Sequence, residues 1–123
     1  MEFDALSNRV IGLAIEVHRH LGPGLLESAY EACLAHELEL AGIPFARQRE
    51  LPVRYKGLSL DCGYRVDLLV DSQLVLELKS VGNLLPIHEA QLLTYMKLAN
   101  KRTGLLINFN ERYLKDGIKR MVL

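Results

Sequence analysis

The chain has 123 residues, half of them hydrophobic and 24% charged, which suits one globular domain with a single hydrophobic core. Its 15 basic and 15 acidic residues cancel, which weakens the case for a uniformly basic nucleic-acid-binding protein. No stretch is apolar over the length of a membrane span, and the acidic start Met1-Glu2-Phe3-Asp4 does not resemble a signal peptide. A cytoplasmic protein without membrane contact is therefore expected.

The charges are unevenly distributed along the chain. Residues 1–50 contain eight acidic and four basic residues, whereas residues 97–123 contain seven basic and two acidic residues. This pattern is compatible with an ordinary solvated surface, and equally with one basic face on a neutral protein.

Two helices are predicted at the start of the chain. Apolar residues recur at helical spacing over about 7–20, with Ser7 as the expected N-cap, and Gly22-Pro23-Gly24 ends this helix. A second helix is predicted over about 25–41 and is ended by Gly42.

The only cysteines, Cys33 and Cys62, match no metal-binding spacing. Because the chain begins without an export signal, we interpret both as buried, small apolar residues in preference to a disulfide.

The second half of the chain is predicted to contain most of the strands. Strand-like segments are followed by a helix at about 87–100 that begins beside Pro86, and then by further apolar strands. The predicted strands cover about 51–56, 58–70, 74–81, 103–109 and 118–123. The order α-α-β-β-β-α-β, with a possible final β, predicts an α/β fold in which helices flank a mixed β-sheet.

The most informative segment is the predicted hairpin over residues 64–79. Side chains alternate between the two faces of a strand, so the apolar residues of both strands must point to the core together. The apolar sets are Val66, Leu68 and Val70 in one strand and Leu74, Leu76 and Leu78 in the other. Antiparallel pairing around the loop 71–73 then places Asp67 opposite Glu77 and Arg65 opposite Lys79.

Directly opposed residues have Cβ atoms about 4.5–5.5 Å apart, so these two carboxylates would repel each other without a cation. One interpretation is a solvent-facing strand pair whose acids are offset by Lys79 and Arg65. The other is a half-buried pair that binds Mg²⁺, since hard cations prefer oxygen ligands. The second is favoured because Leu69 and Val75 make the same face partly apolar and the following helix is placed to cover it.

Three motifs resemble those of a known superfamily. Asp67 followed by Glu77-Leu78-Lys79 reads D-x9-E-x-K, which resembles the signature of PD-(D/E)XK nucleases. Gly24 to Tyr30 reads GxxExxY and is similar to the motif that names the GxxExxY family, a branch of that superfamily. Gln91 to Tyr95 reads QxxxY, as in RecB-like nucleases of the same superfamily.

This resemblance implies a restriction-endonuclease-like fold and an Mg²⁺- or Mn²⁺-dependent nuclease. It implies that Asp67, Glu77 and Glu27 hold the metal ion and that Lys79 is the catalytic lysine. By the same resemblance Gln91 orients Lys79 or the nucleic-acid backbone, with Tyr95 in support. The alternative for Glu27 is a favourable interaction with the helix dipole.

Two further tyrosine and arginine assignments remain open at this stage. Tyr30 is expected either to contact phosphate or to pack in the core with its hydroxyl hydrogen-bonded. Arg65 is expected either to contact phosphate or to form a plain ion pair. His88 is interpreted as a cap or surface residue of the third helix, in preference to a metal ligand.

The expected substrate is nucleic acid, with DNA favoured, and the expected assembly is a homodimer, because so small a domain often needs a second copy to span a duplex. Fold alone does not fix the activity. The alternative from another class is a non-catalytic module that binds nucleic acid or protein on the same fold. A third candidate is a phosphohydrolase of small nucleotides, whose binding would depend little on salt.

Overall fold

The computed structural model describes residues 3–123, so the first two residues of the acidic start, Met1 and Glu2, lie outside the described residues. Helices and sheet-forming segments follow one another in the predicted order, but a strand at residues 45–50 was not predicted and the predicted strand 58–70 is two strands. The elements are α1 (Ala5–Leu21), α2 (Glu27–Leu40), β1 (Phe45–Glu50), β2 (Val53–Tyr55), β3 (Leu58–Leu60), β4 (Arg65–Val70), β5 (Leu74–Lys79), α3 (Pro86–Ala99), β6 (Thr103–Asn108), a 3₁₀ turn (Leu114–Gly117) and β7 (Ile118–Val122). Within residues 3–123, none of these helices combines the length and apolar character needed to cross a membrane.

The main sheet has five strands in the order β1-β4-β5-β6-β7. All neighbouring pairs are antiparallel except β5 and β6, which run parallel and are connected through α3. This is the mixed sheet flanked by helices that the sequence predicted, and it is consistent with the restriction-endonuclease-like fold. Strands β2 and β3 form a separate, largely exposed two-stranded sheet.

The sheet separates two apolar clusters. One face packs against α1 and α2 through a cluster that contains Leu34, Leu68 and Leu76. The other face is covered by α3 through a cluster that contains Leu92 and Met96. Helix α3 approaches β6 closely at Gly104, where an added Cβ would lie 2.8 Å from the Met96 sulfur. A larger residue there would have to displace the Met96 and Leu92 side chains.

The N-cap of helix α1 lies three residues earlier than predicted. The carboxylate of Asp4 accepts hydrogen bonds from the Ser7 backbone N–H at 3.0 Å and the Ser7 hydroxyl at 2.7 Å. The predicted N-cap at Ser7 was therefore wrong: Asp4 is the cap, and Ser7 is a buried residue of the first turn. Both residues are favoured N-caps, so composition alone could not separate them.

The two cysteines form no disulfide, as expected, but the prediction that both are buried was wrong. Both thiols are free, but Cys33 is only half-buried and Cys62 is exposed. Cys62 lies in an irregular segment between β3 and β4, where the predicted strand 58–70 is interrupted. No core surrounds that segment, so the apolar character of the thiol does not determine its position.

The hairpin faces follow the prediction except at Val66. Leu68 and Val70 join the cluster under α1 and α2, as do Leu74, Leu76 and Leu78. Val66 instead joins the cluster under α3 with Leu69 and Val75. The alternation of side chains is thus broken between Val66 and Leu68, at the position of Asp67.

Candidate active site

The two predicted carboxylates meet where regular pairing between β4 and β5 ends. The ladder runs from Val70–Leu74 to Leu68–Leu76 and does not continue to Asp67 and Glu77. The Asp67 backbone N–H instead donates to Glu77 Oε1 at 3.2 Å, and the Leu78 N–H donates to Asp67 Oδ2 at 2.7 Å. Side-chain carboxylates therefore replace backbone carbonyls as the acceptors at this end of the hairpin, which keeps both acids close together.

Burial makes this pair electrostatically unusual. Glu77 is only 5% exposed. Its burial, and next the negative charge of Asp67, raise the pKa of Glu77 to about 8. Burial also raises the pKa of Asp67, although the hydrogen bond from the Leu78 N–H opposes this rise. Two acids with raised pKa values at one site suit either proton transfer near neutral pH or a cation that offsets their charge.

Glu27 and Lys79 complete the cluster from two different elements. Glu27 is the first residue of α2, and its Oε2 accepts a hydrogen bond from the Ser80 backbone N–H at 3.3 Å. The charge of Glu27 contributes to the raised pKa of Glu77, whereas the charge of Lys79 opposes the raised pKa values of Glu77 and Asp67. Within residues 3–123 the Lys79 ammonium forms no salt bridge, so it is available to a ligand.

A polar network that was not predicted from the sequence holds the Asp67 side chain. Glu31 is 7% exposed, and both Nε and Nη2 of Arg47 donate to its Oε2, at 3.1 and 3.0 Å. The Gln48 amide donates to Glu31 Oε1 and, at 3.3 Å, to Asp67 Oδ1. Gln48 therefore bridges two carboxylates from α2 and β4.

The backbone is distorted where this bridge forms. Gln48 lies in β1 with φ of 50°, in the left-handed region that costs a non-glycine residue free energy. By the β1–β4 register Gln48 falls opposite Asp67, between the pairs Arg47–Leu68 and Arg49–Val66. The spacing of Glu27 and Glu31, one turn apart on α2, was the only sequence signal of this network.

Tyr30 adopts the core role that was one of its two predicted alternatives. The side chain is fully buried and its ring stacks on Phe109 with centroids 4.4 Å apart. Its hydroxyl donates to the Gly22 carbonyl at 2.6 Å and accepts from the Leu25 N–H at 3.1 Å. Tyr30 thus fixes the loop that leads to Glu27, and it has no exposed surface with which to meet a phosphate.

The QxxxY residues interact with each other on α3. Gln91 Nε2 donates to the Tyr95 hydroxyl at 3.0 Å. Burial raises the pKa of Tyr95, and the charges of Glu77 and Asp67 contribute to that rise. His88 accepts a hydrogen bond from the Leu85 N–H at 3.0 Å, so it is a cap of α3, as predicted.

Arg65 does not lie opposite Lys79 as the extrapolated register predicted. Strand β4 pairs Arg65 with Glu50 of β1, and the two side chains form an exposed ion pair with 3.5 Å between Nη2 and Oε1. The prediction failed because regular β4–β5 pairing ends at Leu68, three residues from Arg65 along this strand. The ion-pair alternative for Arg65 is therefore the one observed.

The comparison with known families agrees with this arrangement. A family model described as PD-(D/E)XK nuclease superfamily matches residues 4–121. The chain belongs to the PD-(D/E)XK nuclease superfamily. Searches of curated proteins and of solved structures found no match. The narrower GxxExxY assignment stays a prediction based on the Gly24–Tyr30 motif.

PD-(D/E)XK nucleases generally use divalent metals, and the residues present here fit such an ion. Among the described residues no three His, Cys, Asp or Glu side chains are close enough to form a ready-made ligand set. Mg²⁺, however, is commonly held by one or two carboxylates and keeps several waters. Buried Glu77 and half-buried Asp67 supply those two carboxylates, and Glu27 is near enough for its charge to raise the pKa of Glu77.

Proposed function

We propose that this PD-(D/E)XK protein is an Mg²⁺- or Mn²⁺-dependent nuclease that hydrolyses phosphodiester bonds of nucleic acid, with DNA as the favoured substrate. The observation that carries the proposal is the convergence of Asp67, Glu77 and Lys79 at the open end of the β4–β5 hairpin. Superfamily membership over residues 4–121 supports the same activity.

Each residue has a distinct proposed role. Asp67 and Glu77 would hold the cation, and Glu27 would approach it directly or through water. A bound cation would offset charge on the scissile phosphate and lower the pKa of a water molecule. Lys79 would orient the attacking water and offset negative charge that develops on the phosphate oxygens.

The other polar residues would position these groups. The Gln48 amide holds one Asp67 oxygen and so fixes the rotamer of that carboxylate. Gln91 Nε2 is held by the Tyr95 hydroxyl, and the Gln91 amide oxygen would contact Lys79 or the nucleic-acid backbone.

The direct test is cleavage of labelled single- and double-stranded DNA and RNA in Mg²⁺, Mn²⁺ and EDTA. Glu77→Ala and Lys79→Ala are the test variants. Glu50→Ala and Lys97→Ala are matched controls, because they remove one exposed acid and one exposed base outside the cluster. Cleavage that needs metal, disappears in both test variants and survives in both controls supports the proposal. Cleavage that persists in folded Glu77→Ala protein would contradict it.

A non-catalytic binding module is the second candidate, and one observation favours it. The Asp67 and Glu77 oxygens already accept hydrogen bonds from backbone N–H groups, which satisfies them without a cation. This candidate predicts that folded wild-type protein binds an oligonucleotide equally well in EDTA and in Mg²⁺ and cleaves no polymer. Turnover of short nucleotides without cleavage of polymers would instead indicate a small-nucleotide phosphohydrolase.

The proposed assembly is a homodimer, because a domain of 13.9 kDa is small for spanning a duplex alone. Sedimentation equilibrium with and without a duplex oligonucleotide would test it, and a monomer in both conditions would exclude the dimer.

A further inference from the structure

A groove with an excess of positive charge lies between the end of α1 and the segment that follows β6. Its lining includes three cationic side chains and, among the described residues, no acidic one. Its volume is about 400 Å³. We call it the basic groove; its principal lining residues are Arg19, Gly22, Pro23, Arg112, Tyr113 and Lys115.

The walls of the basic groove are held together by specific contacts. His18, near the end of α1, is 8% exposed, and its Nε2 lies 2.7 Å from the Glu111 carbonyl oxygen. Since a carbonyl only accepts, this ring nitrogen donates and ties the segment after β6 to α1. The Arg112 guanidinium lies 5.3 Å from the centre of the Tyr113 ring, which is 55% exposed.

Few acids compete for these cations. Glu16 lies 3.7 Å from Arg19, but both side chains are largely exposed, and an exposed pair of this kind contributes little free energy. Glu111 and Asp116 are neighbours of the cations in sequence, yet neither lines the groove. The groove therefore keeps a local positive charge although the net charge of the whole chain is zero.

A short stretch of chain connects the candidate active site to the basic groove. Strands β5 and β6 are parallel, and Lys79 is paired with Asn108 at their carboxyl ends. Arg112 follows Asn108 by four residues, a chain length that spans at most about 14 Å. Phosphates along a B-form strand are separated by about 3.4 Å of helix rise, so this upper limit corresponds to about four nucleotides between Asn108 and Arg112.

The opposite wall of the groove is also connected to the site. Gly22 and Pro23 line the groove, and the Tyr30 hydroxyl holds the carbonyl of Gly22 and the N–H of Leu25. The Leu25 carbonyl accepts from the Ser80 hydroxyl at 2.7 Å, next to Lys79 in sequence. The loop at residues 22–25 therefore runs from the groove to the active-site cluster.

We infer that the basic groove binds the phosphodiester backbone of the nucleic-acid strand whose scissile bond lies at the Asp67–Glu77 site. Arg19, Arg112 and Lys115 would neutralise successive phosphates, and Tyr113 would offer its exposed ring to a base. Cations that follow a backbone beside an aromatic platform are typical of single-strand binding. The assignment of the strand's scissile end rests on the proposed nuclease function, whereas the binding itself does not.

The test measures binding in EDTA, so that cleavage does not contribute. Fluorescence anisotropy of a labelled 12-nucleotide single strand gives the dissociation constant at several salt concentrations. The test variant is Arg112→Ala combined with Lys115→Ala. The matched control is Arg102→Ala combined with Lys97→Ala, which removes the same two residue types near the amino end of β6.

The test variant is expected to bind the single strand at least tenfold more weakly near 0.1 M salt. Each lost phosphate contact reduces the slope of log affinity against log salt concentration by about 0.7 for single-stranded nucleic acid. The slope of the test variant should therefore fall by about 1.4, while the control keeps the wild-type slope. Tyr113→Leu should weaken binding without changing that slope, since stacking releases no counterions. An unchanged slope in the test variant, or an equal fall in the control, would overturn the inference.

A competition arm separates a nucleic-acid strand from free phosphate. At equal ionic strength, inorganic phosphate should displace the oligonucleotide no better than chloride does. Full displacement by millimolar phosphate would overturn the inference and identify a free-phosphate site. Failure of the nuclease proposal is distinguishable, because it would appear as absent metal-dependent cleavage while the salt slope still depends on Arg112 and Lys115.

Discussion

The two ends of the β4–β5 hairpin share one pair of strands and differ in almost every physical respect. At the loop end, Val70–Leu74 and Leu68–Leu76 form a regular antiparallel ladder with apolar side chains fully or nearly fully buried. At the open end the ladder stops, and the Asp67 and Glu77 carboxylates accept the hydrogen bonds that carbonyls would otherwise receive.

This difference shows how one hairpin can combine stability with a reactive site. The loop end buries apolar surface on both faces of the sheet, and burial of apolar surface is the main favourable contribution to folding. The open end buries Glu77 and half-buries Asp67, which is unfavourable without compensation. The hairpin therefore tolerates a destabilising site because its regular half is strongly stabilising, and each end should respond oppositely to substitution.

The largest expected effect is on activity at the open end. Asp67→Asn and Glu77→Gln keep the shape of each side chain but remove its charge, so metal-dependent cleavage should fall by roughly 10²–10³-fold or more. Initial rates in Mn²⁺ with a labelled oligonucleotide would measure this loss. Either variant cleaving at the wild-type rate would mean that the open end is not the active site.

The next effect is a pH dependence of stability that originates from Glu77. Its pKa rises from 4.5 to about 8 on folding, so the folded state binds more protons than the unfolded state between these values. The free energy of unfolding should therefore be highest below pH 4.5, as far as this group is concerned, and should fall as pH rises towards 8. The total loss is at most about 5 kcal/mol.

Urea unfolding in EDTA at pH 5, 7 and 9 would measure this dependence. Glu77→Gln should flatten it and should be more stable than the wild type at pH 9, because no buried charge forms. The assignment would be contradicted by a wild-type protein that is more stable at pH 9 than at pH 5. It would also be contradicted if the stability of Glu77→Gln depended on pH as steeply as that of the wild type.

At the loop end, Leu76→Ala should destabilise the fold by about 2–5 kcal/mol, since the side chain is fully buried between β4 and β6 partners. The loss of stability caused by Leu76→Ala should be similar at all pH values, whereas the contribution of Glu77 to stability changes with pH. Urea unfolding at pH 5 and 9 would measure both properties. A loss below 1 kcal/mol would show that this end is not the stabilising half.

The smallest effect concerns the bridge between the carboxylates of Glu31 and Asp67. Gln48→Ala removes the amide that donates to both, which should cost about 1–3 kcal/mol. Gln73→Ala is the matched control, because its amide donates only to the exposed Asp71 carboxylate, and it should change stability by less than about 0.5 kcal/mol. Equal losses of stability in the two variants, measured by urea unfolding, would show that Gln48 does not stabilise the two carboxylates.

Hydrophobic periodicity predicted the regular strands and helices of this molecule well. The apolar alternation in the hairpin fixed the pairing of Leu68 with Leu76 and of Val70 with Leu74, because a slip by one residue would expose an entire apolar set. The same signal located α3 and the final strands β6 and β7. Each of these elements is determined by residues close together in the sequence.

The open end of the hairpin and the residues around it could not be predicted in the same way. The position of Arg65 was extrapolated from a register that ends before it, and Val66 lies on the other face of the sheet once the β4–β5 pairing has ended. The role of Gln48 depends on contacts with Glu31 and Asp67, 17 and 19 residues away. Local pattern carries no information about a long-range polar contact or about a residue held at positive φ.

The measurement that tests the central claim most directly is isothermal titration of Mn²⁺ into metal-free protein, without nucleic acid. The wild type should bind Mn²⁺, and Asp67→Asn and Glu77→Gln should lose most of that binding. Glu50→Gln, which neutralises an exposed acid outside the cluster, should bind as the wild type does. Wild-type protein that binds no Mn²⁺, or Glu77→Gln protein that binds it unchanged, would show that the open end of the hairpin is not a metal site.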